Sequence, residues 1–167
     1  VQWLNMTRIE LTKKDINTQN PLSGAVYGIY TDKKCENLLM TMSATGTDGK
    51  AVSDYFDSAL KTVYVKEITA PTGYKLNTEV YKVDVAAGKT LTVTATDERV
   101  TGKVKIAKID KETIAFKAQG DSALRGAVYG LYAKEDIVHP DGTTGVLYKQ
   151  DSLIAQGVIG DDGTLEF

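Results

Sequence analysis

Leu22-Ser-Gly-Ala-Val-Tyr-Gly-Ile-Tyr30 returns almost unchanged as Leu124-Arg-Gly-Ala-Val-Tyr-Gly-Leu-Tyr132. Ahead of each copy lies a strand-like run with lysine at its third inward position, Ile9-Glu-Leu-Thr-Lys13 and Val104-Lys-Ile-Ala-Lys108. A paired feature repeated at this spacing implies two domains of one kind in tandem. Apolar and polar residues alternate elsewhere too, in Val63-Tyr-Val-Lys-Glu67, Tyr81-Lys-Val-Asp-Val85 and Leu91-Thr-Val-Thr-Ala-Thr-Asp97. Period two with abundant Val, Thr and Tyr predicts half-buried antiparallel strands. Turn signals separate them at Thr47-Asp-Gly49, Pro71-Thr-Gly73, Ala87-Gly88, Pro140-Asp-Gly142 and Asp161-Asp-Gly163. No long segment keeps a helical period; Asp54–Leu60 is expected to make one or two turns, opened by Ser53 as a cap. The fold class is therefore all-β, with antiparallel β-sandwich modules in tandem.

The first domain is placed at residues 1–99, its strands starting near residue 7, and the second at 100–167, joined by Glu98-Arg-Val-Thr-Gly-Lys103. Residues 104–167 parallel the first domain only as far as about Val52, with Gly160-Asp-Asp-Gly163 answering Gly46-Thr-Asp-Gly49. The second domain is thus expected to lack its later strands. Half a sandwich leaves an open edge and an uncovered apolar face. The expectation is a fragment of a longer protein, or a domain completed by another segment.

Composition narrows the function. Hydrophobic residues make up 42% and charged residues 25% of the 167, which suits a folded globular chain. The net charge of −2, with signs interspersed, gives no footprint for nucleic acid or an anionic membrane. No apolar run approaches a transmembrane span, and Val1–Met6 has no signal-peptide character. Cys35 is the single cysteine, which rules out an intrachain disulfide and leaves no thiol pair for a metal site. The Asp-Gly turns lack the spacing of a twelve-residue calcium loop, and there is no glycine-rich phosphate loop. His139, the single histidine, is expected in a surface loop. No cofactor or metal is expected.

Phase, not proximity, singles out the candidate chemistry. Lys13 shares the face of Ile9 and Leu11, Glu67 that of Val63 and Val65, and Asp97 that of Leu91, Val93 and Ala95. Lys14, Lys66 and Glu98 fall on the solvated phase; a bulge in the first strand would make Lys14 the inward lysine instead. Buried charges are almost always paired. Burial lowers a lysine pKa and raises a carboxylate pKa. A neutral lysine amine is a nucleophile, a protonated carboxyl group an acyl acceptor that loses water, and a neighbouring neutral acid can polarise and shuttle protons. The alternative reading of the same residues is an ordinary buried ion pair. Tyr27 and Tyr129 are in phase with Ala25/Ile29 and Ala127/Leu131, so both are expected in cores, with hydroxyls seeking partners.

The first-strand Lys13, the segment Glu67-Ile-Thr-Ala-Pro-Thr-Gly-Tyr74 and the intervening Leu22-Ser-Gly-Ala-Val-Tyr27 resemble a CnaB-type domain, the SpaA-like, prealbumin-like group of Gram-positive surface proteins and pilins. Glu67, Ala70, Pro71, Gly73 and Tyr74 match the family's E-box. The resemblance covers nearly all of the first domain and the front of the second, and implies an Ig-like or prealbumin-like sandwich. It also implies an isopeptide bond between Lys13 and Asp97, with Glu67 as catalyst. Asparagine is the commoner acceptor in the family; Asp97 would release water. Lys108 inherits the lysine's place in the second domain, where no E-box or acceptor follows. The function so implied is a stalk or pilin-like module of an extracellular, wall-anchored surface adhesin, bonded to neighbouring domains of its own protein. The reaction is single-turnover, so the module is not an enzyme. The rival is an adhesin module whose longer loops, 111–123 and 135–150, bind a host extracellular-matrix protein or glycan. A third reading has a neighbouring chain complete the second domain by strand addition.

Overall fold

Strict alternation shapes the first strand, β1 (Met6–Asp15): Thr7, Ile9, Leu11, Lys13 and Asp15 are buried and the residues between them are half-exposed. A computed structural model describes residues 5–116 and 123–167 of the chain. They form two compact units, one of Val1–Val100 with Pro140–Thr143, the other of Thr101–His139 with Thr144–Phe167. The chain is all-β.

In the first unit, two sheets enclose the core. β1 pairs with β4 (Lys50–Val52) and β5 (Phe56–Asp57), while β8 (Thr90–Asp97) runs along it. The second sheet has the order β3 (Leu38–Thr41), β2 (Val26–Tyr30), β6 (Thr62–Thr69), β7 (Val80–Asp84). Ile9, Leu11, Ala25, Tyr27, Ile29, Val63, Val65, Val93 and Ala95 meet between them. One pairing departs from the antiparallel pattern: β1 and β8 are parallel, with Lys13 opposite Ala95 and Asp15 opposite Asp97. Alternation does not distinguish the two directions, so only the assembled sheet reveals it.

Asp54–Leu60 forms β5 followed by a short 3-10 turn over Ser58–Leu60, capped by Asp57, whose carboxylate accepts from the Ala59 N–H. Ser53, expected as the cap, instead accepts from the Ile9 N–H and donates to the Asp54 carbonyl. Its hydroxyl is spent on tying the chain to β1.

The second unit repeats part of this plan. β9 (Lys105–Ala107) pairs with β14 (Thr164–Glu166) as β1 does with β4, and β10 (Val128–Tyr132) pairs with β13 (Leu153–Val158) as β2 does with β3. The added segment folds as a hairpin of β11 (Ile137–Val138) and β12 (Val146–Tyr148). Turn geometry is copied too. Gly49 and Gly163, both at positive φ, each donate to a glycine carbonyl (Gly46, Gly160) and accept from the lysine N–H (Lys13, Lys108). Among the described residues, no strand in this unit takes the places of β6, β7 and β8. Tyr129 is accordingly 36% exposed, against the expectation of a core position, because no facing sheet covers it. His139 departs the other way and is buried, its N–H donating to the Gly145 carbonyl across the hairpin.

Candidate functional site

Lys13, Glu67 and Asp97 lie together between the two sheets of the first unit. β1 and β8 supply Lys13 and Asp97 from one sheet, and β6 supplies Glu67 from the other. Lys13 Nζ is 2.5 Å from Asp97 Oδ1 and 3.0 Å from Glu67 Oε1, and all three side chains have 0% exposure. Nζ also donates to Tyr27 Oη at 2.7 Å, and Tyr27 stands opposite Glu67 on the neighbouring strand. Lys14 sits half-buried on the other face of β1, and Lys66 and Glu98 lie outside the cluster. Lys108, the counterpart in the second unit, is partly exposed and makes no ion pair among the described residues.

The E-box segment closes this site. After β6 the chain turns through Pro71-Thr-Gly73, with Gly73 at φ +85 and the Tyr74 N–H donating to the Pro71 carbonyl. The returning chain then lies against the end of β8: Val100 N–H donates to Gly73, Lys75 N–H to Glu98, and Asn77 Nδ2 to Thr96. The Asn77 N–H donates to Glu67 Oε2 at 2.7 Å. Buried Tyr74 donates from its hydroxyl to Asp15, the next inward residue of β1 after Lys13. Asp15 also accepts from the Asn17 and Thr18 N–H groups, so its charge is met by a local turn and a tyrosine.

Electrostatics favour proton sharing. Burial pushes the Glu67 carboxyl group above the usual carboxylate range; the Asn77 N–H and the Lys13 amine pull it back, and Asp97 pushes it further up. Asp97 Oδ2 has no hydrogen-bond partner despite its burial. One amine between two carboxylates in a dry pocket leaves a net negative charge, and uncompensated buried charge is costly. A proton taken up by one carboxylate removes that excess, and condensation to an amide removes the remaining pair of opposite charges. The arrangement suits either a static ion cluster or an amide-forming condensation.

Sequence parity did not reveal Tyr27, Asp15 or Asn77 as parts of the site. Asp15 is two residues past Lys13 on the same phase, so extending the count by one step would have found it. Tyr27 meets Glu67 because they are direct cross-strand partners beside a register shift between Val26 and Tyr27, a long-range relation that local sequence does not carry. The loop thiol of Cys35 lies elsewhere, and burial pushes its pKa up, away from reactivity.

Paired sheets around a buried lysine–carboxylate cluster define a prealbumin-like β-sandwich module as the class. Residues 7–99 match the SpaA prealbumin-like fold domain, and the chain belongs to that family. It is similar to the trypsin-resistant surface T6 protein of Streptococcus pyogenes serotype M6, at 36% identity over 76 residues, which is 46% of this chain and 13% of that protein. Among solved structures it resembles the Bacillus anthracis TIE protein, with a TM-score of 0.65 and 22% identity across 98% of this chain and 26% of that one. It also resembles the T6 backbone pilin of S. pyogenes, with a TM-score of 0.42 and 34% identity over 48% of this chain and 16% of that one. The chain therefore spans only a small part of these relatives.

Proposed function

We propose that the first unit is a stalk-like, pilin-type module of a Gram-positive surface protein, closed by an amide between Lys13 Nζ and Asp97 Cγ. The observation that carries this reading is the contact of a fully buried lysine amine with the Asp97 carboxyl group beside Glu67. In the condensation the N–C bond forms and one C–O bond of Asp97 breaks. The ammonium gives up two protons, both of which leave on the departing oxygen as water, and Glu67 is restored. The bond joins the first and last strands of the sandwich, which are parallel neighbours. Pulling from the two ends then loads a covalent bond before most of the domain's hydrogen bonds. Lys108 is the corresponding amine of the second unit. The module acts outside the cell, and its partners are the adjoining domains of the same surface protein.

Intact mass decides the matter. The chain should weigh one water less than its sequence mass, and Glu67→Ala should restore the full mass. A wild-type mass equal to the sequence mass would remove the covalent reading and leave an ion cluster. An adhesin role toward a host matrix protein or glycan is supported by the added β11–β12 hairpin; matrix-protein and glycan arrays probed with the full chain test it.

A further inference from the structure

Three acceptors surround the Lys13 amine, and the third is neither of the carboxylates. Tyr27 Oη lies 2.7 Å from Nζ, and Glu67 Oε1 lies 3.0 Å from the same nitrogen. Tyr27 is 1% exposed and stands opposite Glu67 on the neighbouring strand. The geometry points to Tyr27 as a catalytic residue of the condensation, orienting the amine and relaying a proton from it to Glu67. This inference rests on the isopeptide reading given above.

The orientation argument is geometric. An ammonium that passes one proton to Asp97 Oδ1 leaves its lone pair where that proton was, facing the Asp97 carboxyl group. Tyr27 holds one remaining N–H and Glu67 Oε1 lies 3.0 Å from the nitrogen, so the amine stays aimed at the carbon it attacks. The relay follows from the same contacts. Once the N–C bond forms, the nitrogen is positively charged and must lose a proton. That proton passes to Tyr27 Oη as the Tyr27 hydroxyl proton passes to Glu67. Glu67 then protonates the departing hydroxyl, which leaves as water while the C=O reforms. Tyr27 ends as a phenol and Glu67 as a carboxylate. Burial first, then the facing Glu67, Asp97 and Tyr81, push the Tyr27 phenol far above its ordinary value. It therefore serves as a two-sided hydrogen-bonding group and never as a lasting phenolate.

The test follows the full chain after a short pulse of cell-free synthesis, with intact mass read at intervals. Tyr27→Phe keeps the ring and removes the hydroxyl, and should slow water loss by roughly 100-fold, the lower end for a positioned proton-transfer group. Loss of the O–H donor should also raise Glu67 further, moving its limb of the pH–rate profile to higher pH; a purely structural role would lower the rate equally at every pH. Folding is checked by comparing the melting of Glu67→Ala with and without Tyr27→Phe. If the phenylalanine variant does not fold, 2,3,5-trifluorotyrosine placed at residue 27 alone keeps the shape and changes the hydroxyl's acidity; the relay requires a changed rate. A wild-type rate in a folded variant overturns the role of Tyr27 and leaves the isopeptide reading intact. A wild-type chain that never loses water overturns both.

Discussion

Lys13 and Lys108 occupy the same place in two copies of one plan, yet only Lys13 is sealed from solvent. Both follow Ile-x-x-x or Val-x-x-x runs, both donate their N–H to the glycine of an equivalent turn, and both precede the same Gly-Ala-Val-Tyr-Gly strand. What differs is the facing material. In the first unit β6 and β7 complete the second sheet and β8 flanks β1; in the second unit no described strand does so. The two tyrosines register this difference, Tyr27 buried and Tyr129 partly exposed. The repeated motif supplies the amine and the tyrosine. The later strands supply the two carboxyl groups and the exclusion of water around them.

The strongest way to break the comparison is to remove the acid that the second unit lacks. Glu67→Ala should leave a folded first unit without the amide, one water heavier. Lys13 and Asp97 are 84 residues apart in sequence, and closing a loop of that size restricts the unfolded chain by about 4–5 kcal/mol in the entropy model. The first unit should therefore melt lower by roughly 20 °C, read by calorimetry. Lys108→Ala should leave the melting of the first unit unchanged. Next in size is core packing at matched positions. Ile29→Ala removes a fully buried side chain and should cost the first unit about 2–5 kcal/mol. Leu131→Ala, its counterpart on a partly exposed strand, should cost less than half as much. Hydrogen exchange of β2 and β10 amides separates the two, since a single melting temperature does not describe two units.

Much of this was legible in the chain itself. Alternation gave the all-β class, and the repeat marked the matching strands β2 and β10. Parity set Lys13, Glu67 and Asp97 on the phases of their apolar neighbours, and all three side chains are buried. The parallel direction of β8 was not legible, because period two is the same either way. Nor was the hydroxyl of Tyr27, since its partner depends on which strand β2 pairs with and in what register. Ser53 misled for a related reason: a hydroxyl before a short helical run reads as a cap, but a distant strand claimed it. Pairing between segments far apart in sequence decides each of these, and local pattern does not encode it.

A finer comparison lies in the matched turns. Gly49 (φ +73) and Gly163 (φ +75) both require the left-handed region, so alanine at either is strained by roughly 1–2 kcal/mol. A Cβ at Gly49 would also come within 2.5 Å of the Lys13 carbonyl oxygen, whereas at Gly163 the matching contact with Lys108 is 3.2 Å. Gly49→Ala should therefore destabilise its unit more than Gly163→Ala does, and it should slow amide formation by shifting β1. Equal effects on local hydrogen exchange would show that the two turns are equally tight.

The smallest effect concerns the loops that leave the repeated strand. Asp32, after β2, is held below the usual carboxylate range by backbone N–H groups, chiefly that of Asn37 at 2.7 Å, with Glu36 and Lys34. Asp136, after β10, is lowered first by the Lys149 ammonium at 2.8 Å and then by the Gln150 N–H. A carboxylate depressed in the folded state adds stability above its ordinary pKa, and that contribution is lost as pH falls through the folded value. Both loops should loosen on acidification, seen as rising amide exchange at Asn37 and Gln150. They should part company in salt. Exposed ion pairs are screened within about 3 Å at 1 M salt, whereas N–H dipoles at hydrogen-bonding distance are not. NMR titration in high salt should move Asp136 back up toward its ordinary value and leave Asp32 nearly where it was. Equal salt shifts would mean that charge, not backbone geometry, holds both loops.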